Sequence, residues 1–356
     1  MIDPQILAKV WREPELILAA GEQELEALLV LTDSARLTAA LGDRIEQAGL
    51  WPHLPQKVRD CFEASYRFAE FRNRQILWEM ECLERTLREA DFEVIVLKGA
   101  AYLLLGLPWA RRRLPADLDV LVAREHLALL EELLIAEGFE PAELTPYDQR
   151  YYREWMHELP PLRHPERQIE VDVHHALLPC TARIQADPKL LWSTARAVFD
   201  SRFKVLGAED MILHAAAHLF YDSDLNNRLR DLVDIDQLLR YFSDGEEDFW
   251  QPLLERAQAH GLERPLTHAL YYSHKFLATP IPEDLPMQAV GRAVRQGMDF
   301  LVERSLFPKL PGHFDGIDGI ARWLLYARSH YLRMPLRLLL PHLLYKASKR
   351  FFASKV

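Results

Sequence analysis

Two aspartates stand one residue apart in an otherwise apolar run, Ala-Asp-Leu-Asp-Val-Leu-Val at positions 116–122. The apolar and β-branched residues of this run favour a short, buried strand. Side chains two residues apart on a strand point to the same face, so Asp117 and Asp119 project together. Two carboxylates held this close raise each other's pKa unless a cation lies between them, and a divalent ion that prefers oxygen ligands is the usual partner. The run therefore predicts one wall of a metal site on a β-sheet.

A second run with strand alternation follows the turn sequence His-Pro-Glu-Arg-Gln at 164–168, and the two flanking segments predict a pair of strands. Apolar and polar positions alternate in this second run: Ile169, Val171 and Val173 against Glu170, Asp172 and His174. Glu170 and Asp172 point to the same face, and either can add a third carboxylate to the first two. His174 continues that face, where it can orient a carboxylate or contact a substrate, although a single histidine is more often structural.

Positive charges stand close to the acidic pair in the sequence. Val94–Leu97 predicts a short strand that ends at Lys98-Gly99, after which a helix begins. A glycine there permits close backbone approach, and a helix N-terminus offers amide donors to a phosphate. Three arginines at 111–113 precede the acids. Each feature alone is typical of a solvated strand edge or an ordinary surface charge, whereas their combination favours a site for a metal ion and a phosphate.

Helical periodicity dominates the rest of the chain. Residues 54–92 predict one long amphipathic helix that packs against a sheet, with an apolar stripe formed by Phe62, Tyr66, Ala69, Leu77, Met80, Leu83 and Leu87. A short strand is predicted at 202–206, within a part of the chain that is otherwise helical. We expect three parts: an N-terminal helical segment (1–55), a catalytic domain (56–181) and a helical C-terminal domain (182–356).

The composition limits the class of partner and the compartment. The 356 residues include 43 Lys and Arg against 53 Asp and Glu, a net charge of −10, which argues against a dedicated binder of long nucleic acids. Three cysteines, Cys61, Cys82 and Cys180, are widely spaced and form no Cys-x-x-Cys pair, so neither a disulfide framework nor a cysteine zinc site is indicated. We found no signal-peptide pattern or membrane span, and expect a soluble, cytoplasmic protein.

The combined motifs resemble a known family. Leu-Lys-Gly at a strand end, an arginine shortly before Asp-Leu-Asp, and a later Val-Asp-Val-His strand resemble the poorly characterised nucleotidyltransferase family of the DNA polymerase beta superfamily. The likeness covers about residues 90 to 240. It implies an α+β fold, with a small mixed β-sheet core flanked by helices and a mostly helical C-terminal domain. The chain departs from the wider superfamily at Ala100, which follows Gly99 where Gly or Ser is usual, and in the longer gap to Asp117.

The resemblance also implies a role for each candidate residue in a magnesium-dependent nucleotidyl transfer that uses two ions. Asp117 and Asp119 are expected to bind both ions, and Asp172, which the family pattern favours over Glu170, to bind the catalytic ion and help deprotonate an acceptor hydroxyl. The residues expected to hold the triphosphate are Lys98, Gly99 and Arg113. The residues expected on the substrate side of the cleft are His174, His218, Arg230 and Asp234.

The partners implied are a nucleoside triphosphate and an acceptor that the fold does not name. Because the acidic balance disfavours a long nucleic acid, a small molecule, a sugar or a protein side chain is expected.

Two alternatives stay open at this point. His214 and His218 share a helical face at the spacing of helical zinc sites, but lack a glutamate between them, and a packed helix is the better interpretation. The chain could also be a non-catalytic nucleotide-binding or regulatory module. Its C-terminal residues 319–356 carry basic but no acidic side chains, and could engage a partner or lie on an anionic membrane surface. Pro335 and Pro341 make one long interfacial helix there doubtful.

Overall fold

The computed structural model of the protein describes residues 5–246, 248–286 and 291–353, which combine a seven-stranded sheet with many helices. The helices are α1 (Ile6–Arg12), α2 (Glu22–Ser34), α3 (Thr38–Gln47), α4 (Gln56–Thr86), α5 (Lys98–Leu104), α6 (Leu127–Ala136), α7 (Pro146–Arg150), α8 (Pro188–Thr194), α9 (Ala208–Ala217), α10 (Leu229–Ser243), α11 (Trp250–His260), α12 (Glu263–Leu277), α13 (Arg292–Ser305), α14 (Gly316–Arg333) and α15 (Leu336–Ala353). The strands are β1 (Ile95–Val96), β2 (Asp117–Leu121), β3 (Glu140–Pro141), β4 (Leu162–Arg163), β5 (Glu170–His174), β6 (Arg196–Ala197) and β7 (Lys204–Val205). The expected fold class is confirmed.

The sheet is mixed, with strand order β3-β4-β5-β2-β1-β7-β6. The acidic strands β2 and β5 are parallel neighbours at its centre, whereas β4 and β5 form the predicted antiparallel pair. The strand predicted at 202–206 is present as β7, which pairs with β1 in parallel. The apolar residues of β2 and β5 are fully buried, which explains their β-branched composition.

Helix α4 has 31 residues, as the long apolar stripe predicts, and it holds the loop before β2. Arg72 donates to the carbonyl oxygen of Ala116 at 3.0 Å, and the Asn73 amide donates to that of Arg111 at 2.8 Å. One member of the predicted stripe is wrong: Leu77 is 41% exposed, and Ile76 is buried in its place. The helix rotates about 100° per residue, so the neighbouring position enters the core.

The hydrophobic core is continuous from Leu7 to Leu325 and includes the sheet and helices from both ends of the chain. The three-part division at 55/56 and 181/182 stays a prediction.

Near the C-terminus the helical structure is interrupted between α14 and α15, at Pro335. Pro341 lies inside α15. The side chains from residue 346 onward lie outside the described part of the structure, so a membrane contact there also stays a prediction. In the described ranges, we find no helix with the length and apolar character to cross a bilayer.

Candidate active site

Three aspartates meet on one face of the central strand pair. In the parallel register of β2 and β5, Asp117 lies opposite Glu170 and Asp119 opposite Asp172. Carboxylate oxygens of Asp117, Asp119 and Asp172 all lie within 4.8 Å of one another. Asp119 is 2% exposed, whereas the other two are half-buried. Strand alternation places both carboxylates of β2 on one face, and strand pairing brings the third beside them.

Glu170, the other candidate for the third carboxylate, forms an ion pair elsewhere. Its Oε2 accepts hydrogen bonds from Arg163 of the neighbouring strand β4, at 2.8 Å from Nε and 2.6 Å from Nη2. Its register position is at the start of β5, beside Asp117. Among the described residues, Asp172 rather than Glu170 belongs to the three-carboxylate group.

Asp119 is held by two cationic or potentially cationic groups. Lys98 Nζ lies 2.6 Å from Asp119 Oδ1, and His174 Nε2 lies 3.0 Å from the same oxygen. Burial would raise the pKa of Asp119, but the charge of Lys98 and the hydrogen bond with His174 hold it well below its usual range. Burial lowers the pKa of Lys98, but the charges of Asp119 and Asp117 outweigh burial and raise the pKa above its usual value. The pair is therefore ionised at neutral pH.

Among the described residues, no cationic side chain pairs with the other two aspartates as closely. Burial, followed by the charges of Asp119, Asp117 and Glu158, raises the pKa of Asp172 to about 7. Burial and the charge of Asp119 also raise the pKa of Asp117, against the opposing charge of Lys98. The nearby positive charges leave the pKa of both carboxyl groups raised, and a group of carboxylate oxygens is the donor set that Mg²⁺ prefers. These side chains therefore fit a magnesium site.

Lys98 has a left-handed backbone, with φ at 49°. A non-glycine residue in this conformation costs roughly 1–2 kcal/mol, because Cβ approaches the neighbouring carbonyl. The conformation turns the chain from β1 into α5 while Leu97 N still donates to the Asp119 carbonyl oxygen at 3.0 Å. The turn and the adjoining strand together bring the lysine side chain to the Asp119 carboxylate.

Gly99 makes room for Arg113. A Cβ at position 99 would overlap the guanidinium of Arg113, whose Cζ would lie 2.9 Å away. Arg113 is itself fixed by Asp234 of α10, with Nε at 2.9 Å from both carboxylate oxygens and Nη2 at 2.9 Å from Oδ2. From the sequence alone, this glycine was expected to admit a phosphate. In the structure the close neighbour is an arginine of the chain itself.

Helices α9 and α10, with the π-helix that begins at His218 directly after α9, form another wall. Arg230 donates to the Leu114 carbonyl oxygen at 3.1 Å and lies 3.5 Å from Asp231. Burial, followed by the charge of Arg113, lowers the pKa of Arg230. Burial, together with the charge of Lys98, lowers the pKa of His218 to about 3, so its ring is neutral at physiological pH.

His214, one turn before His218, is 4% exposed, and the two ring centroids are 6.4 Å apart. Within the described ranges, neither belongs to a group of three side chains that could hold a metal. The geometry agrees with a packed helix.

These walls enclose a cavity of about 220 Å³. All ten sequence-predicted site residues line it except Asp119 and Gly99. Five further lining residues carry polar groups and were not predicted from the sequence: Tyr102, His157, Glu158, Arg228 and Asp231. Asp231 stands next to Arg230 in Arg-Leu-Arg-Asp and could have been found by its charge. His157 and Glu158 have no such signal, because only the fold brings them near β5.

Carboxylates on adjacent strands, beside a lysine and two arginines, define a site suited to a divalent ion and a polyphosphate. Residues 21–278 match the family described as uncharacterised nucleotidyltransferase, and the chain belongs to that family.

One solved structure with a match is the crystal structure of an antigenic nucleotidyltransferase-like protein from Paracoccidioides brasiliensis. The identity is 16%, the match covers 58% of this chain and 94% of that chain, and the TM-score is 0.31, which supports no further inference. No curated protein matches the chain.

Proposed function

We propose that the protein is a magnesium-dependent nucleotidyltransferase that moves a nucleoside monophosphate from a nucleoside triphosphate to a hydroxyl group of an acceptor. The observation that carries this proposal is the convergence of Asp117, Asp119 and Asp172 within 4.8 Å, on adjacent strands of a chain that belongs to a nucleotidyltransferase family. The resemblance of the motifs to the DNA polymerase beta superfamily agrees with it.

The three aspartates would hold the magnesium, with Asp117 and Asp119 shared between two ions. When bound, the ions neutralise charge on the triphosphate and polarise its oxygens. Asp119 is kept ionised by Lys98 and His174, so it is ready to act as a ligand at neutral pH. His174 fixes the orientation of that carboxylate through the hydrogen bond at 3.0 Å.

Transfer requires in-line attack by the acceptor oxygen on the α-phosphorus. A new oxygen–phosphorus bond forms, the bond to the bridging α–β oxygen breaks, and pyrophosphate leaves. The hydroxyl proton passes to Asp172, which is half-buried and reaches the cavity surface. A carboxylate within reach of the attacking hydroxyl is the usual general base for this step.

Lys98 and Arg113 are the proposed contacts to the triphosphate. Asp234 occupies Nε and Nη2 of Arg113 and orients its planar guanidinium. Nη1 is directed over Gly99, beside the turn that carries Lys98. A guanidinium fixed in this way loses little side-chain entropy on binding a phosphate. The acceptor would lie toward His218 and Arg230, and a small molecule, a sugar or a protein side chain is consistent with a cavity of about 220 Å³.

The decisive experiment uses each nucleoside triphosphate labelled in turn at the α- and the γ-phosphate, with Mg²⁺ and cell extract as the source of acceptor. We expect the α-label in a product and the γ-label in pyrophosphate. Asp119→Asn should abolish both signals. Glu170→Gln is the matched control, because Glu170 lies on the same strand and face as Asp172 but pairs with Arg163.

Two results would contradict the proposal. Transfer of the γ-label to the acceptor would indicate a kinase. Nucleotide binding without any transfer, unchanged by Asp119→Asn, would indicate a non-catalytic module.

A further inference from the structure

We propose that His157, Glu158 and His174 form a second metal site, separate from the three aspartates, that takes a divalent transition ion such as Zn²⁺. One ring nitrogen of each histidine and one carboxylate oxygen of Glu158 lie within 4.8 Å of one another. All three side chains line the cavity described above. This inference goes beyond the proposed transfer and does not depend on it.

The backbone holds these residues together. The segment after α7 runs antiparallel along β5, with Leu159 N donating to the Val173 carbonyl oxygen at 2.9 Å and His175 N to that of His157 at 2.8 Å. Glu158 and His174 are direct partners in an isolated antiparallel bridge. Opposed residues on paired strands project to the same face, so strand pairing alone brings the side chains of Glu158 and His174 together.

The two histidines carry buried nitrogens that protein groups leave unsatisfied. His157 is 4% exposed and His174 is 2% exposed, and Nδ1 of each is buried with no hydrogen-bond partner among the described residues. Leaving a buried polar atom without a partner is unfavourable, so such atoms need an explanation. His174 Nδ1 lies 3.7 Å from Glu158 Oε2, which is too long for a hydrogen bond. Two ligands of one tetrahedral ion stand roughly 3.4 Å apart when each bond is about 2.1 Å.

His174 also has the contact that a ligating histidine typically makes with its second nitrogen. Its Nε2 lies 3.0 Å from Asp119 Oδ1. When Nε2 donates its hydrogen to that carboxylate, the lone pair on Nδ1 is left to bind an ion, and the ring is held in place. Asp119 would thus support the histidine–glutamate site while acting as a ligand in the aspartate site.

The ligand types separate the two sites. Three carboxylates suit Mg²⁺, whereas two imidazoles and one carboxylate suit Zn²⁺ and related transition ions. Two histidines and a glutamate are also the protein ligands of one type of catalytic zinc site, which keeps a position open for water or substrate. Here that position would face the cavity.

The test is a titration of the purified full chain with Co²⁺ as a spectroscopic probe, in excess Mg²⁺ and without nucleotide. We expect visible d–d absorption bands that saturate at one equivalent and disappear when Zn²⁺ is added. Glu158→Gln and His157→Ala should abolish the bands. Asp172→Asn should leave them unchanged, and Asp119→Asn should weaken Co²⁺ binding by about 10–100-fold, as loss of a supporting carboxylate does.

The matched control is His53→Ala, which removes an exposed histidine and should retain the bands. Thermal unfolding in EDTA establishes that each variant is folded. If His157→Ala does not fold, the isosteric variant Glu158→Gln decides the result. Failure of the wild-type chain to produce the bands overturns the proposal. Bands that survive Glu158→Gln but vanish in Asp172→Asn also overturn it, because the ion would then lie among the aspartates.

Discussion

The Nζ of Lys98 lies 2.6 Å from Oδ1 of Asp119, a carboxylate that is 2% exposed. Lys98 reaches this position from a left-handed backbone, with φ at 49°, at the first residue of α5. The ion pair is thus held by a strained turn, and both the charge and the strain can be tested by substitution.

Lys98→Ala and Lys98→Gly both remove the ammonium group and leave Asp119 with one partner fewer. We expect each to destabilise the protein by about 3–5 kcal/mol, the usual cost of breaking a buried ion pair. The alanine variant should be about 1 kcal/mol less stable than the glycine variant, because only alanine has a Cβ in the left-handed conformation. Urea unfolding measures both differences. Equal stability of the two variants would contradict the prediction that the left-handed backbone at position 98 is strained.

Gly99→Ala introduces a methyl group that overlaps the guanidinium of Arg113. Because Asp234 fixes that arginine, we expect a loss of about 1–3 kcal/mol in the free energy of unfolding, as for other overpacked sites. The control is Gly297→Ala in helix α13, where a Cβ has nothing within 4 Å. That change should stabilise the helix by about 0.5–1 kcal/mol. A neutral result for Gly99→Ala in urea unfolding would show that Arg113 moves aside freely.

Asp172→Asn should stabilise the metal-free protein. Since the pKa of Asp172 is raised to about 7 in the folded state, ionisation favours unfolding as the pH rises from about 4 to about 7. Below pH 4 the group is protonated in both states, so the substitution should have little effect there. Above pH 7 we expect a gain of about 1–3 kcal/mol, because a tenfold change in proton affinity corresponds to about 1.4 kcal/mol and lost contacts offset part of the gain.

Thermal unfolding of Asp172→Asn across this pH range, in EDTA, checks the prediction. Added Mg²⁺ should stabilise the wild-type protein more than the variant. A variant that is less stable than the wild type at pH 8 in EDTA would contradict it.

Asp210, near the start of α9, is expected to show the opposite pH dependence. It accepts hydrogen bonds from Arg256 Nε and Nη2 and from Thr194, each at 2.7 Å. Burial would raise its pKa, but hydrogen bonds with His260, Arg256 and Thr194 lower it to about 2. Its contribution is fully present above about pH 4, and is lost as the pH falls through about 2.

We therefore expect Asp210→Asn to cost about 2–3 kcal/mol at pH 7, and the difference from the wild type to shrink between pH 4 and pH 2. Urea unfolding at several pH values measures it. A difference that stays constant down to pH 2 would show that the charge of Asp210 is not the cause.

Local sequence pattern determined much of the site. Alternation in two short apolar runs is a property of neighbouring residues. It was enough to predict that Asp117 and Asp119 point to the same side of one strand, and that Glu170 and Asp172 point to the same side of the other. The long helix α4 was predicted in the same way from its apolar period, although Leu77 was assigned to the wrong face.

Tertiary structure decided the contacts between residues far apart in the chain. The parallel pairing of β2 and β5 brings Asp172 beside Asp119, whereas Glu170, although opposite Asp117, pairs with Arg163 of β4. Arg113 and Asp234 are 121 residues apart, so no periodicity could pair them. The same holds for His157 and Glu158, which join His174 only because their segment runs along β5. Local pattern is set by the geometry of one strand or helix, whereas these contacts depend on how separate elements pack.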